Sequence, residues 1–443
     1  MRFAPHTADD VAEMLGRIGI GSVDDLFDQI PEDVSLRDAL DLPAGVSELD
    51  IVRDMRAFAG RNRSADDLVC FAGGQAYDHY VPSVVRALAG RSEFATSYTP
   101  YQFELAQGVL QVLFEFQSFV CALTELDVSN ASLYDGATAL SEGVNIVSHN
   151  DRPRVLVTGG VDPRLIETLR TTTAPTDRTV DVLPLAADGS STPDAVVDDD
   201  DVGAVVVQHP NRFGILEPVR ELAQRAHHAG ASLVQVFDPT SLGVLAPPGA
   251  LGTDVAVAEG QSLGNDLHYG GPYLGLIAAR DEHVRKMPGR IVGETVDADG
   301  APGYVLTLQA REQHIRRERA NSNICTNQTL MAIAATVYLA WLGPEGLVEL
   351  GHQCASRAAY AASALTSVDG VDLRFPEAPF FKEFALRLPV DAAGVRDALV
   401  ERGIVAGVPA PDVDDRTLVV AVTERRTRGE IDGYAEALAE VLR

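Results

Sequence analysis

The sequence predicts an α/β fold in which a large, mostly parallel sheet of roughly seven strands is covered by helices on both faces, with a smaller C-terminal α/β unit. Two observations carry this. Between Leu68 and Gly293 short apolar runs alternate with amphipathic helical stretches, the pattern that crossover connections require. The strand runs are also continuously apolar, which implies burial on both faces and hence parallel pairing. A chain of 443 residues with 46% hydrophobic content can bury a core of that size. The expected organisation is a helical arm over residues 1–65, the large domain over 66–330 and the small domain over 331–443.

Taken in order, the first element is a helix capped by Thr7, with Asp10 at the third helical position ahead of Val11, Met14, Leu15 and Ile18. The chain to about Asn62 continues as short helices and proline-punctuated turns, too short for an independent core, so an arm packed on a larger body is expected. Phe103 to Glu125 predicts a long helix apolar enough to be buried on more than one side. Strands follow at Arg154–Thr158, Thr179–Pro184 and Ala204–Gln208. The helix Glu217–His228 closes at Gly230, and strands Leu233–Phe237 and Asp254–Ala258 come next. Val296 to Gly303 reads as a linker, followed by a helix-rich connection. The terminal unit reads strand Phe381–Leu388, helix Ala393–Arg402, strand Thr417–Val422 and helix Arg428–Leu442.

Composition narrows the partners. With 64 acidic against 36 basic residues, the net charge of −28 argues against nucleic acid or an anionic membrane, both of which need local positive charge. Scarce lysine beside abundant aspartate suits a salt-rich environment, where molar salt screens charges beyond roughly 3 Å. Asp198 to Asp201, the densest acidic run, is expected to be a solvated loop. No membrane span and no secretory signal are expected, and Cys70, Cys121, Cys325 and Cys354 are too scattered for a zinc site or a disulfide framework. A reducing cytoplasm is the expected location.

Chemistry concentrates in the stretch Ala231–Ala279. A buried strand ends in Asp238, a second strand leads into the loop Glu259-Gly260-Gln261-Ser262-Leu263-Gly264, and a Gly270-Gly271-Pro272 turn follows. This is the layout of the cofactor segment of a pyridoxal-phosphate enzyme, in which an aspartate at a strand's carboxyl end pairs with the pyridinium nitrogen. Without a lysine in the loop, the N-cap or turn reading of Asp238 before Pro239 is the favoured one. Such chemistry needs a Schiff-base amine in the loop, yet Ser262 stands about there. The two lysines, Lys286 and Lys382, lie elsewhere in the sequence, so no amine is expected within reach of the pocket. Two further segments enter helices, whose free N–H groups can receive anions. One is Ser97–Glu104, with Tyr98, Thr99, Tyr101 and Gln102; the other, around Thr138, is a phosphate cup or an ordinary cap made by Asp135.

Five segments then follow one another in a distinctive order: FAGGQAYDHY from Phe71, TSYTPYQFELAQG from Thr96, NASLYDGATA from Asn130, VAEGQSLG with HYGGPYLG, and REQHIRRERANSNICTNQ from Arg311. Together they resemble, over essentially the full length, the first subunit of glycine dehydrogenase (decarboxylating), the P-protein family of the glycine cleavage system. The resemblance implies a pyridoxal-phosphate-dependent transferase fold of type I. It also implies a coenzyme bound by a second, lysine-bearing subunit and none bound covalently here, with Asp238, Thr138 and the Ser262 position as vestiges of a cofactor site. With that partner the chain would decarboxylate glycine and pass the aminomethyl group to the lipoyl arm of the H protein. Tyr98, Thr99, Tyr101 and Gln102, then Asn321, Asn323 and Thr326, would line the shared cleft, with His79 and Tyr80 near it. Arginine at Arg319, where the family often has lysine, is a modest departure. Two rival functions are a subunit used only for assembly and a self-sufficient enzyme using Lys286. Association would need an apolar face, expected on the helix Val109–Leu123.

Overall fold

Valine and alanine dominate a series of strands whose residues are buried in unbroken runs. The computed structural model describes residues 5–36, 40–148 and 151–443. Seven strands form one sheet: β1 (Val128–Ser129), β2 (Arg154–Val157), β3 (Thr179–Val182), β4 (Val202–His209), β5 (Ser232–Phe237), β6 (Val255–Glu259) and β7 (Gly275–Ala279). Their order is β1-β7-β6-β5-β4-β2-β3. The strands β2 to β6 pair in parallel, and β7 runs antiparallel to both β6 and β1. Every residue of β4, β6 and β7 is buried, as a sheet covered on both faces requires.

Successive strand residues point to opposite faces and so feed different cores. Ala256, Ala258, Leu276 and Ala278 pack in the cluster that contains Leu110, Leu113 and Phe116, whereas Val255, Val257, Val155 and Val157 pack with Leu140 and Val144.

The chain divides into two compact units, Met1–Asn62 and Arg63–Arg443. In the first, α1 (Ala8–Ile18) starts at Thr7 with the expected capping box and ends at Gly19 in the left-handed conformation. Neither α1 nor α2 (Glu48–Ala59) buries a residue, and Met14, Ile18, Leu26, Phe27, Met55 and Phe58 are exposed.

In the second unit, α3 (Ser83–Ala89) precedes α4 (Gln107–Thr124), α5 (Gly136–Val147), α6 (Pro163–Thr173) and α7 (Val219–His228). The helix α4 corrects one expectation. Val109, Leu110, Leu113, Phe116 and Val120 are buried in this chain's own core, so this helix is not the apolar face left for a partner. A second correction concerns Val296–Gly303, expected as a linker. It is the turn of a hairpin in which β8 (Ile291–Val296) pairs antiparallel with β9 (Pro302–Thr307). The Asp297 carboxylate accepts the N–H groups of Asp299 and Ala301, and Gly300 supplies the positive φ that closes the turn.

The helical stretch α8 (Thr329–Thr366) is two helices meeting at Gly343, whose φ of 60° and ψ of −177° break the hydrogen-bond ladder just before Pro344. Among the described residues it is the one helix long and apolar enough to cross a membrane, which the sequence expectation overlooked. Its first half is buried at Ala332, Ile333, Ala335 and Tyr338, so core packing accounts for that composition. The terminal lobe is a four-stranded sheet of β10 (Asp372–Leu373), β11 (Glu383–Arg387), β12 (Val408–Pro409) and β13 (Thr417–Ala421), in the order β10-β11-β13-β12. It packs with α9 (Ala392–Val400) and α10 (Arg428–Val441) around Phe384, Leu399, Val420 and Leu438. The segment after Val69–Cys70 is tied to this lobe, since Phe71 N–H donates to the Val405 carbonyl and Ala421 N–H to that of Phe71. That connection carries Tyr77 and His79 to the junction of lobe and sheet.

Candidate functional site

Asp238 leaves the carboxyl end of β5, where open α/β sheets bind ligands. One carboxylate oxygen accepts from the Thr240 N–H and hydroxyl at 2.9 and 2.8 Å, so the residue does cap the following turn. The other lies 2.7 Å from Lys382 Nζ. This overturns the expectation that no amine reaches the pocket: the terminal lobe delivers one, from the residue just before β11. Lys382 is 1% exposed, and its Nζ also sits 2.9 Å from Thr240 Oγ1, 3.1 Å from His79 Nε2 and 3.5 Å from the centre of the Tyr77 ring. His79 Nδ1 in turn meets Glu424 at 2.7 Å. His79 is therefore a satisfied core residue, while Tyr80 donates its N–H to Glu424 and leaves its ring exposed.

Three carboxyls around this amine differ in how their charge is settled. Burial works against ionisation of Asp238, but Lys382 and the Thr240 donor outweigh it and hold the carboxyl below its ordinary value. Burial likewise opposes ionisation of Glu424, and the His79 ring with the Tyr80 N–H brings it down to about 2. Glu383 goes the other way. Burial first, and the Asp238 charge second, push it up to about 7 despite hydrogen bonds from the Gly74 N–H and the Tyr77 hydroxyl, each at 2.9 Å.

A measurable pH dependence follows. A carboxyl whose folded value is raised binds its proton more tightly in the native state, so its contribution is complete below the ordinary value of 4.5 and is lost as pH rises toward about 7. Glu383→Gln is expected to flatten the fall in unfolding free energy between those two values. Denaturant titrations across that window, wild type against variant, check it. Glu424 acts in the opposite window, losing its contribution as pH drops from 4.5 toward about 2.

On the neighbouring strand, β6 ends in Glu259, which lines the same cavity as Asp238 and Lys382 and lies beside the N-terminus of α5. Its carboxylate accepts the N–H groups of Gly136 at 3.0 Å, Gln261 at 3.0 Å and Leu274 at 2.9 Å. Burial pushes Glu259 up to about 7 against those donors. Asp135 takes the next free N–H, that of Thr138, at 2.8 Å in a capping box. Ser262 is buried with its hydroxyl unpartnered, and the Gln261 side chain bridges to the backbone of Tyr77 and Asn265.

These residues do not fit pyridoxal phosphate. An ammonium occupies the place of the pyridinium N–H opposite Asp238, and carboxylates occupy the helix N-terminus that would receive a phosphate. At the loop where an imine would form there is a hydroxyl. Lys382 is held at the Asp238 end by an ion pair and two further polar contacts, which is not the geometry of a free amine nucleophile. Lys286 lines a separate small cleft with Arg285, Arg311, Asn321 and Ser322.

The other sequence candidates lie at the surface. Tyr98 is 88% exposed; Tyr101, Gln102, Asn321, Asn323 and Thr326 are exposed, and Thr99 is half-buried. The two segments are linked through residues that the sequence did not single out. Buried Arg290 donates to the Tyr101 hydroxyl at 3.1 Å and to Asn327 Oδ1 at 3.2 Å, and the His314 ring packs edge-on to Tyr101 at 6.0 Å. The missed residues left only faint signals: Lys382 was visible as one of two lysines, and Arg290 as an arginine beside a turn.

The strand order, the acid at the end of β5 and the terminal lobe define the pyridoxal-phosphate-dependent transferase fold of type I. Solved structures of low identity share it: a sphingosine-1-phosphate lyase from Burkholderia pseudomallei has a TM-score of 0.68 at 15% identity, covering 92% of this chain and 93% of its own. An alanine–glyoxylate aminotransferase from Nostoc sp. gives 0.62 at 16%, covering 93% and 100%. A profile of the glycine cleavage system P-protein family matches residues 1–438, and the chain belongs to that family. It is 47% identical to a probable glycine dehydrogenase (decarboxylating) subunit 1 from Carboxydothermus hydrogenoformans, with 99% of each chain covered. The corresponding protein of Chlorobium luteolum is 45% identical over 100% of each. A crystal structure of glycine decarboxylase (P-protein) in inhibitor-bound form superposes with a TM-score of 0.91 at 45% identity, covering 100% of both chains.

Proposed function

We propose that this chain is the coenzyme-free subunit of a glycine decarboxylase, active only with a partner subunit that carries pyridoxal phosphate on a lysine. The observation that carries the proposal is that its own pocket is already filled, with Lys382 against Asp238 and the Glu259 carboxyl on the Gly136 N–H at the start of α5. The partner's coenzyme supplies the electron sink for decarboxylation. This chain's share is to orient glycine, keep water from the cleft and admit the lipoyl arm of the H protein, which takes up the aminomethyl group. Tyr98, Thr99, Tyr101 and Gln102 are proposed for the cleft, with Asn321, Asn323 and Thr326 at its margin. Exposure of Tyr98, Tyr101, Phe103 and Leu105 on one loop supports a surface meant to be covered. The acidic composition and the four free cysteines accord with a reducing, salt-rich cytoplasm, with neither nucleic acid nor membrane as partner.

Mixing tests the proposal. The isolated chain is expected to catalyse no exchange between glycine and CO2, and exchange is expected to appear when the partner subunit is added. In that complex Tyr98→Ala and Thr99→Ala are expected to lower turnover while the subunits still co-elute. Exchange by this chain alone would refute the proposal. Unchanged turnover in both variants would favour a subunit used only for assembly.

A further inference from the structure

Arg290 is 4% exposed, and no carboxylate pairs with it among the described residues. That is unusual in a chain with 64 acidic residues. Other buried cations here have their counter-ions: Arg426 meets Asp78 at 2.9 Å and Lys382 meets Asp238 at 2.7 Å. A buried guanidinium without one is costly unless hydrogen bonds and an incoming anion compensate it. Its Nη1 donates to Asn327 Oδ1, and its Nε has no partner. The Asn327 amide is fixed in turn, because its Nδ2 donates to the Ala131 carbonyl and to the hydroxyls of Ser132 and Thr329 at 3.0 to 3.1 Å. Arg290 is thereby held beneath the Tyr98–Gln102 loop, with its guanidinium 5.2 Å from the centre of the Tyr101 ring.

The direction of the remaining bond gives the chemistry. Arg290 Nη2 donates to the Tyr101 oxygen at 3.1 Å. A guanidinium has no acceptor, so the phenol's own proton is left for an acceptor outside, and Tyr101 is 48% exposed. A phenol O–H backed by an uncompensated cation favours an anion over a neutral acceptor.

We infer that Arg290 is a positioning residue for Tyr101 and that the pair receives the carboxylate of glycine when the loop closes the partner's cleft. This rests on the functional proposal above and adds to it the group that is recognised. The amine of glycine is committed to the coenzyme, which leaves the carboxylate as its only anionic handle.

The test uses the reconstituted two-subunit complex. Tyr101→Phe and Arg290→Gln are each expected to raise KM for glycine about 10- to 100-fold, the range of a hydrogen bond to a charged group, with kcat changed much less. The double variant is expected to be little worse than either single one, since both remove one interaction. Arg290→Lys, which keeps charge but loses the fork, is expected to recover KM only in part. Binding of methylamine, which has the amine without the carboxylate, is expected to be unchanged when followed by the absorbance of the complex. Tyr101→Phe removes only the hydroxyl and keeps the ring, so it keeps the test valid if Arg290→Gln does not assemble. An unchanged KM for glycine in Tyr101→Phe would overturn the inference, as would equal weakening of glycine and methylamine. If Tyr98→Ala still lowers turnover in that case, the loop keeps its role and only the Arg290–Tyr101 pair is refuted.

Discussion

Lys382→Met is expected to destabilise the protein by about 3–5 kcal/mol, the cost of leaving one member of a buried ion pair without its partner. Methionine fills nearly the same volume, so packing against the Tyr77 ring is kept while the charge is lost. Asp238, whose side chain is 11% exposed, would then keep only its Thr240 donors and lose its ion-pair partner. The loss should also loosen the seam between terminal lobe and large sheet, because Lys382 comes from the lobe and Asp238 and Thr240 from the sheet. Lys382→Met/Asp238→Leu is expected to recover most of the stability, since a buried pair replaced by apolar residues of similar size is often no worse. Equilibrium urea unfolding of the three proteins checks this. A single variant as stable as wild type would mean that the pair contributes nothing to holding the lobe.

The same pair shows where sequence reasoning stops. Strands such as Leu233–Phe237 and Thr417–Val422 were legible because a buried strand is a local run of β-branched and small apolar residues; the first begins one residue earlier than expected and the second ends one residue earlier. The hairpin at Ile291–Thr307 was not, because the DADG turn carries the same residues as a linker and only cross-strand pairing tells them apart. Helix α4 was legible as a helix but not by its neighbours: an apolar surface does not say whether its own chain or another will cover it.

At the site, Asp238 and the Ser262 loop were found because they lie close together in the sequence. Lys382 is recruited from the terminal lobe and Glu259 turns back onto α5, so both roles depend on tertiary contacts with no local pattern. The Ser262 loop has no lysine, yet the pocket as a whole receives one from the terminal lobe. Arg290 escaped for a related reason, since what distinguishes it is a missing counter-ion, visible only after folding.

All of this converges on where the coenzyme resides. In this chain an ammonium meets Asp238 and carboxylates cap α5, so pyridoxal phosphate would have to displace a cation at one end and push its phosphate against acids at the other. The partner subunit is expected to carry it instead, and the difference should be all or none. The decisive measurement is borohydride reduction of the assembled complex, and of this chain alone with added pyridoxal phosphate, followed by peptide mapping. The expected result is a pyridoxyl-lysine confined to the partner, with Lys286 and Lys382 unlabelled and the isolated chain colourless. A yellow isolated chain, labelled after reduction at Lys382 or Lys286, would contradict the account.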